Sequence, residues 1–298
     1  MKLRTVTALT ATCVLALTAC GAAPGASSTA ASPGVNRSAP LYKSLPESVR
    51  KAGKLVVGSQ LASPPIAFLA EDAKTVKGVN KDLADQLSKQ LGVPVQFSQY
   101  AFPGLQPALT SKKIDAVFDL MDDTPTRQQT FDFVDFIVDG FTILVKDGNP
   151  AGVNSIADLC GKTVSIVTGS TAIPVVEAQS GKCTAEGKQT LTVKQFQKAS
   201  DARLQVQSGK MTAFFGATPV MLYLADNAEG GKAFDAVQGE IYGKTVAGMA
   251  VRKDDTALRD SLVKAYSAIM EDGSYTQVLA KYGLQDLALD KPTVNGGK

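Results

Sequence analysis

The chain has 298 residues, 44% of them hydrophobic and 20% charged, which leaves room for two domains and describes a globular protein, not a disordered one. Histidine and tryptophan are both absent, which removes Ser-His-Asp and Cys-His catalysis and histidine-ligated metals together. The formal charge of +3 falls to +1 without Lys2 and Arg4 of an expected leader, so no basic face for nucleic acid is implied.

Residues 1–19 join a basic start to a short apolar centre, Val14-Leu15-Ala16-Leu17, too short to span a membrane and shaped like a secretory signal. Leu17-Thr18-Ala19-Cys20 has the form of a lipobox, predicting cleavage before Cys20 and attachment of a diacylglycerol to its sulfur. The alternative is an ordinary cleavage site with an incidental cysteine. Residues 20–44 are expected to act as a tether, because Gly21 to Pro40 is rich in Ala, Ser, Gly and Pro and cannot build a core.

Order is expected near Leu45, with a helical turn over Pro46 to Arg50 and a buried strand over Lys54 to Gly58. Ser63 to Phe68, carrying Pro64 and Pro65, reads as a rigid loop. Leu83, Ala84, Leu87 and Leu91 share a helical face that Gly92 ends. Val93 to Phe97 is the next strand, and Pro103 opens a helix through Leu109. Ile114 to Phe118 alternates as a half-buried strand, then gives way to a polar segment, Asp122 to Arg127, before a second apolar run, Phe131 to Val138. Strand and helix alternate as in a doubly wound α/β sheet. Arg127 is then expected just past a strand's C-terminal edge, where such sheets bind ligands and where its planar fork suits a carboxylate. The alternative is a solvated surface charge.

A second cycle follows Phe141 to Val145. Ser155 caps a turn, Lys162 to Val167 is a strand, and Thr168-Gly169-Ser170-Thr171 leads into a helix through Gln179. That loop presents backbone N–H groups to an anion, or is a plain capped turn. Thr192 to Phe196 is a strand, Ser200-Asp201 caps a helix through Gln207, Met211 to Phe215 is a strand, and Thr218-Pro219 starts a helix. Tyr242 to Val251 returns as an apolar strand before a helix over Leu258, Leu262, Tyr266 and Ile269 and a short one ending at Tyr282-Gly283. Cys160 and Cys183 are expected to pair if the chain is exported; a buried pair of free thiols is the alternative, and a redox site fits less well because the spacing is far from Cys-x-x-Cys.

In order and spacing, several short pieces resemble the extracytoplasmic solute-binding proteins, family 3, of polar amino-acid ABC importers. They are Gly53 to Gly58, the Pro64-Pro65 loop, Gly78 with Asp82-Leu83, Phe102 to Leu109, and Ile114-Asp115-Ala116 leading to Thr124-Pro125-Thr126-Arg127 and Phe131-Asp132-Phe133. Asp158 to Val164, Thr168-Gly169-Ser170, Asp272 to Tyr275 and Lys281-Tyr282-Gly283 complete the match. The resemblance implies two α/β lobes, each a doubly wound sheet, joined by two hinge segments and closing on ligand in the cleft. Lobe 1 would comprise residues 45–140 and 246–289, lobe 2 residues 141–245, and residues 290–298 a tail. It implies that Arg127 grips a ligand carboxylate, that Phe102 stacks on the ligand, and that Thr168, Ser170 and Thr171 add bonds from lobe 2. Gln60, Ser63, Asp122, Thr124 and Ala217 complete the expected ligand-binding set.

Three positions depart from the family pattern. Ala217 stands where an aspartate holds the ligand ammonium, Ser63 where a second aromatic is usual, and Asp122 where Ser or Thr is usual. Asp122 is therefore expected to take over the cationic part of the ligand; alternatively it pairs with Arg127 or caps the following turn. The expected function is a monomeric, lipid-anchored receptor on the outer side of the cell membrane. It would take up a small amino acid or derivative and pass it to an ABC permease, with no cofactor, metal or nucleic acid. The alternative is an exported dehydratase on the same fold, using Asp122, Asp123 or a lysine as its acid or base.

Overall fold

A computed structural model describes residues 34–298; the expected signal and Cys20 lie outside the described residues. In chain order the elements are α1 (Glu47–Ala52), β1 (Leu55–Ser59), β2 (Ala62–Ser63), β3 (Ala67–Leu69), β4 (Val76–Lys77), α2 (Val79–Leu91) and β5 (Val95–Gln99). Next come α3 (Leu105–Thr110), β6 (Ala116–Asp122), α4 (Pro125–Gln128), β7 (Phe131–Lys146), β8 (Thr163–Val167), α5 (Ala172–Ala185), β9 (Thr192–Phe196) and α6 (Ala199–Gln207). The chain closes with β10 (Ala213–Ala217), α7 (Thr218–Asn227), β11 (Phe234–Ala236), β12 (Tyr242–Arg252), α8 (Thr256–Glu271), α9 (Ser274–Lys281) and β13 (Ala288–Val294). Among the described residues no helix is long and apolar enough to cross a membrane.

The main sheet runs β5-β1-β6-β12-β7-β10-β8-β9, with β11 and β13 also on β7. Its wings, β5-β1-β6 and β10-β8-β9, are parallel, as βαβ crossovers require. Its centre is antiparallel, because β12 pairs with both β6 and β7. The result is a two-lobe α/β fold in which each wing is one doubly wound half and β7 and β12 run through both. At the β12–β7 crossing Gly248 is required, since a Cβ there would meet the Val134 carbonyl oxygen at 2.6 Å.

The larger core packs α2, α8 and α9 over the first wing. Phe136 of β7 lies edge-on to Phe118 of β6, centroids 5.6 Å apart, and stacks on Tyr266 of α8 at 5.3 Å. Each such buried ring contributes about 1.5–3 kcal/mol relative to exposure. A second core lies under α5, where Cys160 and Cys183 form a disulfide, as expected from their pairing in an exported chain.

Several local expectations change. The Pro64-Pro65 segment is a hairpin of β2 and β3 around a cis peptide bond, rather than a plain loop. β6 is buried along all seven residues because helices cover both its faces, and it runs on to Asp122, which therefore ends a strand instead of opening a turn. The two apolar runs from Phe131 to Val145 are one strand, β7. Helix α6 starts from Lys198 without a side-chain cap, so Ser200 and Asp201 do not cap it.

The expected tail from residue 290 is largely strand. Its residues supply donors to acids buried in β7: Asn295 Nδ2 to Asp132 at 3.0 Å and Thr293 Oγ1 to Asp135 at 2.9 Å. Part of the expected tether is also folded onto the protein. Asn36 N–H donates to the Gly92 carbonyl at 2.8 Å, and Leu41 N–H to that of Gln90 at 2.9 Å. Gly92 has positive φ, and a Cβ there would sit 2.2 Å from the Asn36 carbonyl oxygen.

Candidate functional site

The C-terminal ends of parallel strands from both wings meet at one cavity of about 60 Å³. Gln60 follows β1, Asp122 ends β6, Val167 ends β8 and Ala217 ends β10, and all four line it. This is where open α/β sheets leave a crevice, because the crossovers of each wing turn away there. Helices α5, α6 and α7 begin beside the cavity through Ser170, Ala199 and Ala217, so positive helix ends face it. Phe102, Phe141, Phe214 and Met221 supply apolar walls.

Of the expected set, Gln60, Ser63, Phe102, Asp122, Ser170 and Ala217 line the cavity. Arg127 lies beside it, 8% exposed, with Cζ 5.9 Å from the Phe102 ring centroid. Its Nη1 donates to the Asp122 carbonyl at 2.8 Å, and its Nη2 crosses to the Gly169 carbonyl of the β8–α5 loop at 3.0 Å. Burial pulls this guanidinium below its ordinary range, and the Asp122 and Asp123 charges oppose that. Thr124 caps α4, its oxygen accepting from the Arg127 N–H at 3.3 Å, and so fixes the backbone that carries Arg127. Thr168 makes a backbone bond to Phe196, Ser170 Oγ accepts from Ala172 N–H, and Thr171 Oγ1 donates to Asp122. Of the loop's N–H groups, those of Thr168 and Ser170 are bonded within the protein, while one hydroxyl, that of Thr171, reaches the opposite wing.

Asp122 neither ion-pairs with Arg127 through its carboxylate nor caps the turn. Its carboxyl meets that of Asp139, a residue of β7 that sequence reasoning missed. The two flank β12, Asp122 opposite Ala247 and Asp139 opposite Thr245. Asp139 accepts from Gly140 N–H at 2.7 Å and from the Thr218 N–H at the start of α7. Burial pushes both carboxyls above the ordinary range; the Asp122 charge pushes Asp139 further, while Thr171 and Arg127 draw Asp122 back. Of the two, Asp139 is pushed the more strongly toward its protonated form, and two buried carboxyls can hydrogen-bond only while one of them carries a proton.

A third acid, Asp119 of β6, also lines the cavity but is satisfied, accepting from Gln60 N–H at 2.6 Å, Leu120 N–H at 2.8 Å and Ser59 Oγ at 3.2 Å. Burial raises it as well. The charged side chains that line the cavity are thus all acidic. Among the described residues no group of three or more candidate ligands is placed to hold a metal. One signal for Asp139 was present in the sequence: three acids, Asp132, Asp135 and Asp139, interrupt an apolar run too continuous to be a surface strand.

Residues 55–285 match the family described as bacterial extracellular solute-binding proteins, family 3. The chain is 29% identical over 228 residues to the ABC transporter arginine-binding protein 1 of Escherichia coli K12, covering 76% of this chain and 89% of that one. It is similar to the solved structure of an ancestral arginine-binding protein bound to arginine, at 33% identity and a TM-score of 0.69, covering 78% of this chain and 98% of the other. It is also similar to an ancestral amino acid-binding protein described as a precursor of cyclohexadienyl dehydratase, at 28% identity and a TM-score of 0.66, covering 79% and 97%.

Proposed function

Because the chain belongs to the bacterial extracellular solute-binding proteins, family 3, we propose that it is a lipid-anchored receptor of an ABC importer, capturing a small amino acid or amino-acid derivative between its lobes and delivering it to the permease. In this reading residues 45–140 with 246–289 form one lobe and residues 141–245 the other, and the protein acts as a monomer held to the membrane through Cys20. The observation that carries the reading is the cavity where both wings end, walled by Phe102 and Phe141 and flanked by a buried arginine bonded to both sides. Arg127 has five N–H donors and spends one each on the Asp122 and Gly169 carbonyls. The rest are available to a carboxylate. Its position beside acids and aromatic rings suits a zwitterion, whose cationic end the acidic lining accepts. The names of the arginine-binding relatives support an amino acid with a basic group.

The test is a thermal-shift screen of the purified chain against amino acids, their N-substituted derivatives and organic acids. A ligand at a hundredfold over its dissociation constant stabilises by about 2.7 kcal/mol, an easily resolved shift. No stabilisation by any amino acid or derivative refutes the receptor reading. Turnover of an arogenate-type acid would establish catalysis instead.

A further inference from the structure

The cavity contains one carboxyl pair whose chemistry is incomplete. Asp122 is 6% exposed and Asp139 2%. Every oxygen of satisfied Asp119 next to them has N–H or hydroxyl donors, but Asp122 Oδ1 is buried without any. The Asp139 carboxyl is the group that reaches Asp122, and it bonds to it only while protonated. Charges facing the pair are Asp119 from β6, Arg127 from α4 and Asp123 before it; from the β8–α5 loop and α7 come only the neutral Thr171 and Thr218. Arg127 turns its Nη1 and Nη2 toward backbone carbonyls, so its charge draws Asp122 down from a distance but forms no ion pair with either carboxyl.

The geometry points to Asp139, together with Asp122, as the site that takes the cationic nitrogen of the ligand, in exchange for the proton the two carboxyls share. The Asp139 O–H bond breaks, its proton passes to the buffer, and an N–H of the ligand replaces it on Asp122 Oδ1. One positive charge leaves and one enters, so the pair with its occupant carries a single negative charge in both states. That balance makes a buried pair of acids tolerable with or without ligand. It also selects an ammonium or guanidinium bearing N–H donors over a quaternary amine, which has none to give to Oδ1. Ala217, beside Thr218, leaves Asp139 as the acid on that side of the cavity. The inference rests on the receptor reading and names the group of the ligand that the cavity reads.

Infrared difference spectroscopy on the full chain tests it, with L-arginine, L-glutamine and glycine betaine as probes. Relative to Asp139→Asn and to Asp122→Asn, the wild-type protein alone should show one additional stretch of a protonated buried carboxyl, beyond any from Asp119 and Asp135 that both variants keep. Saturating L-arginine or L-glutamine should abolish the band in wild type, with release of about one proton per ligand in calorimetry across buffers of different ionisation enthalpy. An effect of both amino acids assigns the α-ammonium, and of L-arginine alone the guanidinium. Asp139→Asn should weaken binding of the effective probe by roughly thirtyfold or more. No additional band in the ligand-free protein, or one that no probe removes, overturns the inference. If an amino acid stabilises the chain while the band persists, only this inference fails; if none stabilises it, the receptor reading fails too. Betaine acting as well as the two amino acids also overturns it.

Discussion

Asp135 should make the protein less stable as pH rises through the mildly acidic range. It is fully buried in β7, and its Oδ2 accepts from Thr293 Oγ1 and Gly296 N–H, each at 2.9 Å, while Oδ1 has no partner. Burial pushes its carboxyl up to about 6, and the Asp123 charge adds to this against the Gly296 bond. In the unfolded chain the value is about 3.9. Between these values the folded state binds the extra proton, so stability from this group is full below about pH 4 and is lost as pH rises through about 6. A gap of about 2 units corresponds to about 3 kcal/mol. Asp135→Asn removes the titration and adds a fixed cost for its amide group. The mutant's stability relative to wild type should therefore rise by about 3 kcal/mol between about pH 4 and pH 7, measured by urea unfolding at each pH. Using the difference cancels Asp122, Asp139 and the other acids, which titrate in both proteins. Parallel stability curves for the two proteins would refute the reasoning.

Arg127→Ala should weaken binding of the best ligand from the screen by roughly 2–5 kcal/mol in calorimetry, and Arg127→Lys should recover only part, because an ammonium keeps the charge but loses the fork. Affinity within threefold of wild type for Arg127→Ala removes it from the site. Cys160 and Cys183 should resist alkylation until a reductant is added. Reduction should cost about 3 kcal/mol of stability for a loop closed across a separation of 23 residues, read from the shift in urea midpoint. Labelling of both thiols in the unreduced native protein contradicts the bond.

The alternation of strand and helix, and the helices at Leu83 and Leu258, were legible because period and punctuation are local properties of the sequence. The same holds for the Ser155 cap, whose partner Asp158 is three residues away. What was illegible depends on register between distant segments. Asp122 and Asp139 are brought together only because β12, more than a hundred residues later, inserts between β6 and β7. Read along the chain, Asp122 belonged to a polar turn, and its nearest cation was Arg127. Burial on both faces turned that stretch into strand and aimed the guanidinium at carbonyls. The segment after residue 290 misled for a related reason: its Thr, Asn and Gly look like a loose end until the buried acids of β7 that they serve are known.

That late insertion of β12 also governs how the protein can be made. Val251, Leu258, Leu262 and Tyr266 share a core with Leu55, Leu83 and Phe118, so the part synthesised first is finished by the part synthesised nearly last. A nascent chain released near residue 240 would carry α2 and β6 with their apolar faces bare and β7 with an open edge. Contacts this distant in sequence slow folding, and bare strand edges invite aggregation. Ribosome-arrested chains of increasing length should thus stay protease-sensitive through their first half until α8 has emerged, and become resistant together with it.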